Sequence, residues 1–193
     1  MVPLNIAVFI SGNGTNLQAI IDNCARGLCQ AQIKFVLSNR ADAYGLTRAR
    51  DAGIKTYILD HKDYKNREDY DSALLDITKN YELDLICLAG FMRVLTPVFL
   101  APYDGRVLNI HPSLLPKYKG LHTHQQALDD RATIHGCSVH IVTPALDDGP
   151  ILVQRSVPVL AGDNVDSLND RVLNEEIIAY TEAINMMAAR LQS

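Results

Sequence analysis

At 193 residues, 48% hydrophobic and 21% charged, the chain has the make-up of an ordinary globular protein with length enough for a sizeable core. A formal net charge of −4 supplies no global basic field to gather phosphates, which argues against a nucleic-acid partner while leaving room for a local phosphate pocket. The most apolar run, residues 83–95, is too short to span a membrane and carries Asp84 and Arg93. The four cysteines (Cys24, Cys29, Cys87, Cys137) lack C-x-x-C spacing and read as free thiols, so the expected location is the cytoplasm.

Short apolar runs alternate with helical spacing. Residues 5–10 predict a strand, and residues 17–24 a helix with Leu17, Ile20, Ile21 and Cys24 on one stripe. A strand at 33–37, a short helix at 45–52 ended by Gly53, and a strand at 56–59 follow. A polar helix over 67–79 has Tyr70, Leu74, Ile77 and Tyr81 as its inner face. With strands at 83–88 and 106–110, this repeated alternation predicts an α/β fold, a doubly wound and mostly parallel sheet with helices on both faces. The strands expected at 139–142 and 151–159 are joined by the turn-rich Pro144-Ala145-Leu146-Asp147-Asp148-Gly149-Pro150 and read as an antiparallel pair. From Val165 to Leu191 the spacing is that of a long C-terminal helix, with Asp163, Asn164 or Asp166 as its N-cap. No repeat, low-complexity tract or long linker divides the chain, so residues 1–193 are expected to form one domain.

Two places carry chemistry. Ser11-Gly12-Asn13-Gly14-Thr15-Asn16 leaves the first strand and opens the first helix, where glycines let backbone N–H groups approach an anion. A dinucleotide fingerprint would need a third glycine where Asn16 stands and an acid after the second strand, where Ser38-Asn39-Arg40 stands. A phosphate monoester on the N–H groups of Gly14, Thr15 and Asn16, an NADP site using Arg40, and a plain tight turn all stay open. Asn109 and His111 are spaced two apart at a strand end closed by Pro112, so they share a face at the position where parallel sheets bind ligands. They are either a turn cap with a structural histidine or an amide donor beside an imidazole. A carboxylate from Asp147 within reach of His111 would orient the ring and favour its charged form. His122 and His124 form an H-x-H without a third ligand, so no metal is expected. His61, His135 and His140 have no partner legible in the sequence, and Glu175 and Glu176 read as solvated helix charges.

Six stretches together carry a resemblance: Ile10-Ser11-Gly12-Asn13-Gly14-Thr15-Asn16-Leu17-Gln18-Ala19, Leu88-Ala89-Gly90-Phe91-Met92-Arg93-Val94-Leu95, Leu108-Asn109-Ile110-His111-Pro112-Ser113-Leu114-Leu115-Pro116-Lys117-Tyr118, Gly120-Leu121-His122-Thr123-His124-Gln125-Gln126-Ala127-Leu128, Ser138-Val139-His140 and Leu146-Asp147-Asp148-Gly149-Pro150. They resemble the folate-dependent formyltransferase family, and the glycine loop with Leu121-His122-Thr123-His124 resembles its phosphoribosylglycinamide-using branch. The resemblance implies a Rossmann-like formyltransferase fold. It also implies transfer of a formyl group from 10-formyltetrahydrofolate to the amine of 5′-phosphoribosylglycinamide by a monomer or homodimer. By position it makes Asn109, His111 and Asp147 catalytic, puts the substrate phosphate on Gly14, Thr15 and Asn16, and puts the ribose near Glu176. It lays the folate along Met92, Arg93, Val94 and Leu95 and the loop Thr143, Pro144, Ala145, Leu146 and Asp147, with Asn109 beside it and Arg67 near its tail. The N-terminal half would bind the nucleotide phosphate, and the C-terminal half the folate. A hydrolase or amino-sugar sibling and an NADP-dependent reductase remain as alternatives. Asp148 stands where the family often has glycine and adds a charge beside Asp147.

Overall fold

The computed structural model describes residues 2–192. β1 (Leu4–Ile10) is buried on both faces: Ile6, Val8 and Ile10 enter one core and Ala7 and Phe9 the other. This pattern belongs to a parallel sheet covered by helices on both sides. α1 (Thr15–Ala25), α2 (Gly45–Asp51), α5 (Thr123–Asp129) and α6 (Val165–Leu191) cover the first face. α3 (Arg67–Thr78) and α4 (Pro97–Leu100) cover the second, where Phe9 packs against Phe35, Phe91 and Phe99.

The seven strands add β2 (Ala31–Ser38), β3 (Thr56–Ile58), β4 (Leu85–Leu88), β5 (Val107–His111), β6 (Ile134–Ile141) and β7 (Ile151–Pro158). They lie in the order β3-β2-β1-β4-β5-β6-β7, parallel through β5 and antiparallel across β5–β6 and β6–β7. The order reverses between β1 and β4, and the crevice outside the carboxyl ends of these strands is where open α/β sheets bind ligands. β6 begins five residues before the sequence pattern predicts, because His135 and Gly136 hide it. Gly136 lies against the backbone of β7, where a side chain has no room. The short helices α4 and α5 had no periodicity long enough to announce them.

α6 begins at a capping box in which Asn164 accepts from the Ser167 N–H at 2.9 Å and Ser167 Oγ accepts from the Asn164 N–H at 3.0 Å. Further along, buried Tyr180 donates its hydroxyl to the Leu88 carbonyl at 2.9 Å, with the Leu108 carbonyl at 3.3 Å. The helix therefore grips β4 and β5 beside Asn109. Tyr180→Phe is expected to cost about 1–2 kcal/mol of unfolding free energy in a urea titration, since it leaves buried carbonyl groups without their donor.

α5 is held to β6 by His124 and His135, whose Nδ1 and Nε2 atoms lie 3.1 Å apart. Burial, and then the charges of His124 and His111, push His135 down to about 4, while its ring edge meets Tyr118. The folded His135 thus stays neutral while the unfolded chain takes up a proton near pH 6.5, so stability falls as the pH drops from about 6.5 to 4. His135→Phe should flatten that fall, as read from thermal midpoints across the interval.

Candidate active site

β5 ends at His111 because Pro112 cannot continue the ladder, and the strand presents Asn109 and His111 on one face. Antiparallel β6 sets His140 opposite Asn109 and Ser138 opposite His111. His140 Nδ1 donates to the Ile141 carbonyl at 3.0 Å; in the neutral ring Nε2 accepts from Asn109 Nδ2 at 3.2 Å, and in the charged ring the Nε2–H faces Asp147 Oδ1 instead. One N–H of the Asn109 amide is thereby used, and the second is free for a ligand. His111 Nε2 donates to the Tyr118 carbonyl at 2.8 Å, and its Nδ1 lies 3.4 Å from Asp147 Oδ2. Both ring nitrogens face oxygen acceptors, so an imidazolium would have a partner for each N–H.

Asp147 reaches the strand end from the loop after β6. It adopts a φ of 46°, an uncommon conformation that turns its carboxylate inward. Its side chain is only 9% exposed; Oδ2 accepts from the Gly120 N–H at 2.9 Å, and Oδ1 lies 3.7 Å from His140 Nε2. Burial opposes its ionisation, but the His140 ring, the Gly120 N–H and the charges of His111 and His140 outweigh that. They hold the carboxyl below its usual range. The sequence left His140 without a partner; the structure makes it the link between Asn109 and Asp147. Its signal was the alternation of Ser138 and His140, usable only once the pairing of β5 with β6 is known. Two other partnerless histidines also have neighbours: His61 meets Asn39 at 3.3 Å, and His135 meets His124. Asp148 points away and pairs with Lys119, so its added charge does not enter the site.

The second centre is the start of α1. Gly14 takes a φ of 72° as N-cap, no side chain caps the helix, and its first turn holds no acidic residue. The N–H groups of Thr15 and Asn16 therefore belong to an open helix N-terminus of eleven residues, a natural anion site. α2 braces this loop: the Gly45 N–H donates to the Gly12 carbonyl at 3.1 Å and Arg48 Nε to the Asn13 carbonyl at 2.9 Å. A Cβ on Gly14 would stand 2.7 Å from the Gly45 Cα. Asn16 Nδ2 donates to Glu176 Oε2 at 2.7 Å, while its Oδ1 is buried without a partner. Glu176 is buried, which raises its carboxyl pKa against the Asn16 bond, and Glu175 pairs with Arg155 at 2.6 Å. Neither is the solvated helix charge that the local sequence predicts.

Between the two centres runs the segment after β4. Met92 and Val94 are exposed on it, Leu95 is buried, and Arg93 Nε is buried without a partner, so it forms a ledge with apolar and polar faces. Asp71 Oδ2 on α3 accepts from the Thr96 N–H at 2.6 Å and ties that ledge to α3, whose exposed first residue is Arg67. Thr143, Pro144, Ala145 and Leu146 lie in the loop leading to Asp147; Leu146 is exposed, and the Thr143 hydroxyl donates to the Ala145 carbonyl at 3.3 Å. Adjacent strands lie about 4.8 Å apart, so the ends of β1 and β5, with β4 between, are separated by about 10 Å. Arg40 pairs with Asp42 at 2.7 Å on the exposed surface. His122 is exposed at the start of α5 while His124 turns to His135. Among the described residues no group of three or more His, Cys, Asp or Glu side chains is placed to hold a metal ion, and no helix is long and apolar enough to cross a membrane.

Comparison with known proteins shows the family of the chain. Residues 4–184 match the model of the formyl transferase family. The phosphoribosylglycinamide formyltransferase of Escherichia coli is 51% identical over 96% of this chain and 87% of its own length. A trifunctional purine biosynthetic protein of Homo sapiens is 45% identical over 95% of this chain, which spans only 18% of that protein. The crystal structure of the Coxiella burnetii phosphoribosylglycinamide formyltransferase superposes with a TM-score of 0.93 at 50% identity, covering 97% of this chain and 88% of that one. A glycine loop on an open helix end, a strand-end asparagine and histidine, and a family match along nearly the whole length lead to one conclusion: the chain belongs to the formyl transferase family.

Proposed function

We propose that this enzyme transfers the formyl group of 10-formyltetrahydrofolate to the free amine of 5′-phosphoribosylglycinamide, a step of de novo purine synthesis. The observation that carries the reading is the 3.4 Å approach of Asp147 to His111, on the face of β5 that also bears Asn109. The two bacterial relatives quoted above carry phosphoribosylglycinamide in their names, which supports it as the acceptor, and the formyl transferase family match supports a formyl-folate donor. The residues supply the roles.

The N–H groups of Gly14, Thr15 and Asn16 hold the phosphate, and the helix dipole of α1 adds favourable charge. Glu176 accepts a ribose hydroxyl from its buried position next to Asn16. The distance of about 10 Å from β1 to β5 suits a ribose spacer between phosphate and amine. The folate lies along Met92, Arg93, Val94 and Leu95 and against Thr143, Pro144, Ala145 and Leu146, with Arg67 toward its tail. This makes residues 1–193 one domain, with the phosphate centre in its N-terminal half and most of the folate and catalytic groups in its C-terminal half. All these residues come from one chain, so a monomer or a homodimer would serve. The four cysteines are free thiols, in keeping with the cytoplasm.

The amine attacks the formyl carbon, and the carbonyl π pair moves onto oxygen. Asn109 offers its unused N–H to that oxyanion, a contribution typically worth about 10²–10³ in turnover. His111 accepts the proton that the attacking nitrogen must lose, and Asp147 supports the resulting charge. His111 then returns the proton to N10 of the folate as the carbon–nitrogen bond breaks, leaving tetrahydrofolate and a formylated amine with no net proton change. Alignment of amine and formyl carbon supplies much of the remaining acceleration.

A formyl-transfer assay with the two substrates should show stoichiometric tetrahydrofolate and formylated product. A protein that shows none, yet gains thermal stability with NADPH, would be a reductase instead. His111→Ala and Asp147→Asn should each lower kcat by about 10²–10⁴-fold with KM values nearly unchanged. Retained turnover in either variant removes that residue from the mechanism. Gly14→Val is expected to raise KM for phosphoribosylglycinamide by about 10-fold or more, equivalent to about 1.4 kcal/mol, because the loop must open to admit the side chain.

A further inference from the structure

Ser11 is the residue at which the two substrate centres meet. It leaves β1 immediately before the glycine loop and is buried. Its hydroxyl oxygen accepts from the Met92 N–H at 2.8 Å, at the head of the ledge formed by residues 92–95. The same hydroxyl donates to Asn39 Oδ1 at 2.5 Å, and Asn39 Nδ2 continues the chain to His61 Nδ1 at 3.3 Å. A single side chain thus joins the end of β1, the end of β2 and the segment after β4, across the point where strand order reverses.

Phe91 packed on Phe9 and the buried Leu95 anchor the two ends of this segment, and the Ser11 bond fixes the Met92 backbone between them. Ala89 N–H bonds to the Phe9 carbonyl at 2.9 Å, and Thr96 N–H is held by Asp71; between them the Met92 N–H is the one tied back to β1 through a side chain. Met92 itself is 64% exposed and contributes little packing to hold its own backbone. The Ser11 hydroxyl, oriented by Asn39, therefore sets how far the ledge stands from the glycine loop.

We propose that Ser11 is a positioning residue for the formyl donor: through Met92 it holds the folate ledge at a fixed height above the phosphate loop, with Asn39 orienting its hydroxyl. This rests on the reading of residues 92–95 as the folate wall. Ser11 touches neither substrate and acts only through the Met92 backbone. Its loss therefore acts on one substrate more than on the other.

The test is steady-state kinetics on the full chain carrying Ser11→Ala, Ser11→Thr or Asn39→Ala. Removing the hydroxyl should raise KM for 10-formyltetrahydrofolate about 10-fold while KM for phosphoribosylglycinamide stays within about twofold. Ser11→Thr keeps the hydroxyl and should recover most of the loss. Asn39→Ala leaves Ser11 in place but unhooks it, so it should give a smaller rise in the same KM; it also carries the test if Ser11→Ala folds poorly. An unchanged donor KM in these variants, or equal changes in both KM values together with a lower thermal midpoint, would overturn the proposal. Wild-type protein run alongside separates the two ideas. An inactive wild type sinks the formyl-transfer reading and this inference with it, whereas an active wild type matched by Ser11→Ala sinks this inference alone.

Discussion

The antiparallel register of β5 against β6 is the constraint on which the site depends. It places His140 opposite Asn109 and Ser138 opposite His111, so four polar side chains share one face at one strand end. A slip of one residue would turn the polar set into the apolar core and bring Ile110 to the crevice. β6 returns antiparallel only after a connection that carries α5, which sets His140 opposite Asn109, and the loop after β6 folds back to bring Asp147 to both His111 and His140.

Asp147 shows how burial and charge are balanced there. Taking a carboxylate out of water is costly, and an isolated one would take up a proton instead. Here the Gly120 N–H and two imidazoles face it, and the balance falls on the ionised side. Glu176 shows the opposite balance: it has the single amide of Asn16 as partner, and burial raises its pKa. Two carboxyl groups in one protein are thus tuned in opposite directions by the number of donors each meets. The first is suited to supporting a cation and the second to binding a neutral hydroxyl.

The glycine loop before α1 is held in place for a different reason. Gly12, Asn13 and Gly14 turn tightly onto α1, and the Gly45 and Arg48 contacts from α2 hold the loop from beneath. Its N–H groups are aimed before any anion arrives, so little ordering cost is left for binding. The ledge after β4 is fastened to this loop at one end and to α3 at the other.

Much of this was legible in the residues. The β-α alternation, the long final helix from Val165 to Leu191 and the strand stop at Pro112 follow from hydrophobic spacing and from proline's missing N–H, which are local properties. The glycine loop and the shared face of Asn109 and His111 follow from local geometry in the same way. The sequence by itself therefore determined which side chains end β1, β4 and β5 and that Asn109 and His111 point the same way. Only the tertiary structure decided which of them meet. The 3.4 Å between His111 and Asp147, the role of His140, the burial of Glu176 beside Asn16 and the bridge from Ser11 to Met92 join residues 36, 31, 160 and 81 positions apart. Such contacts depend on strand order, register and helix packing, which arise from the chain as a whole.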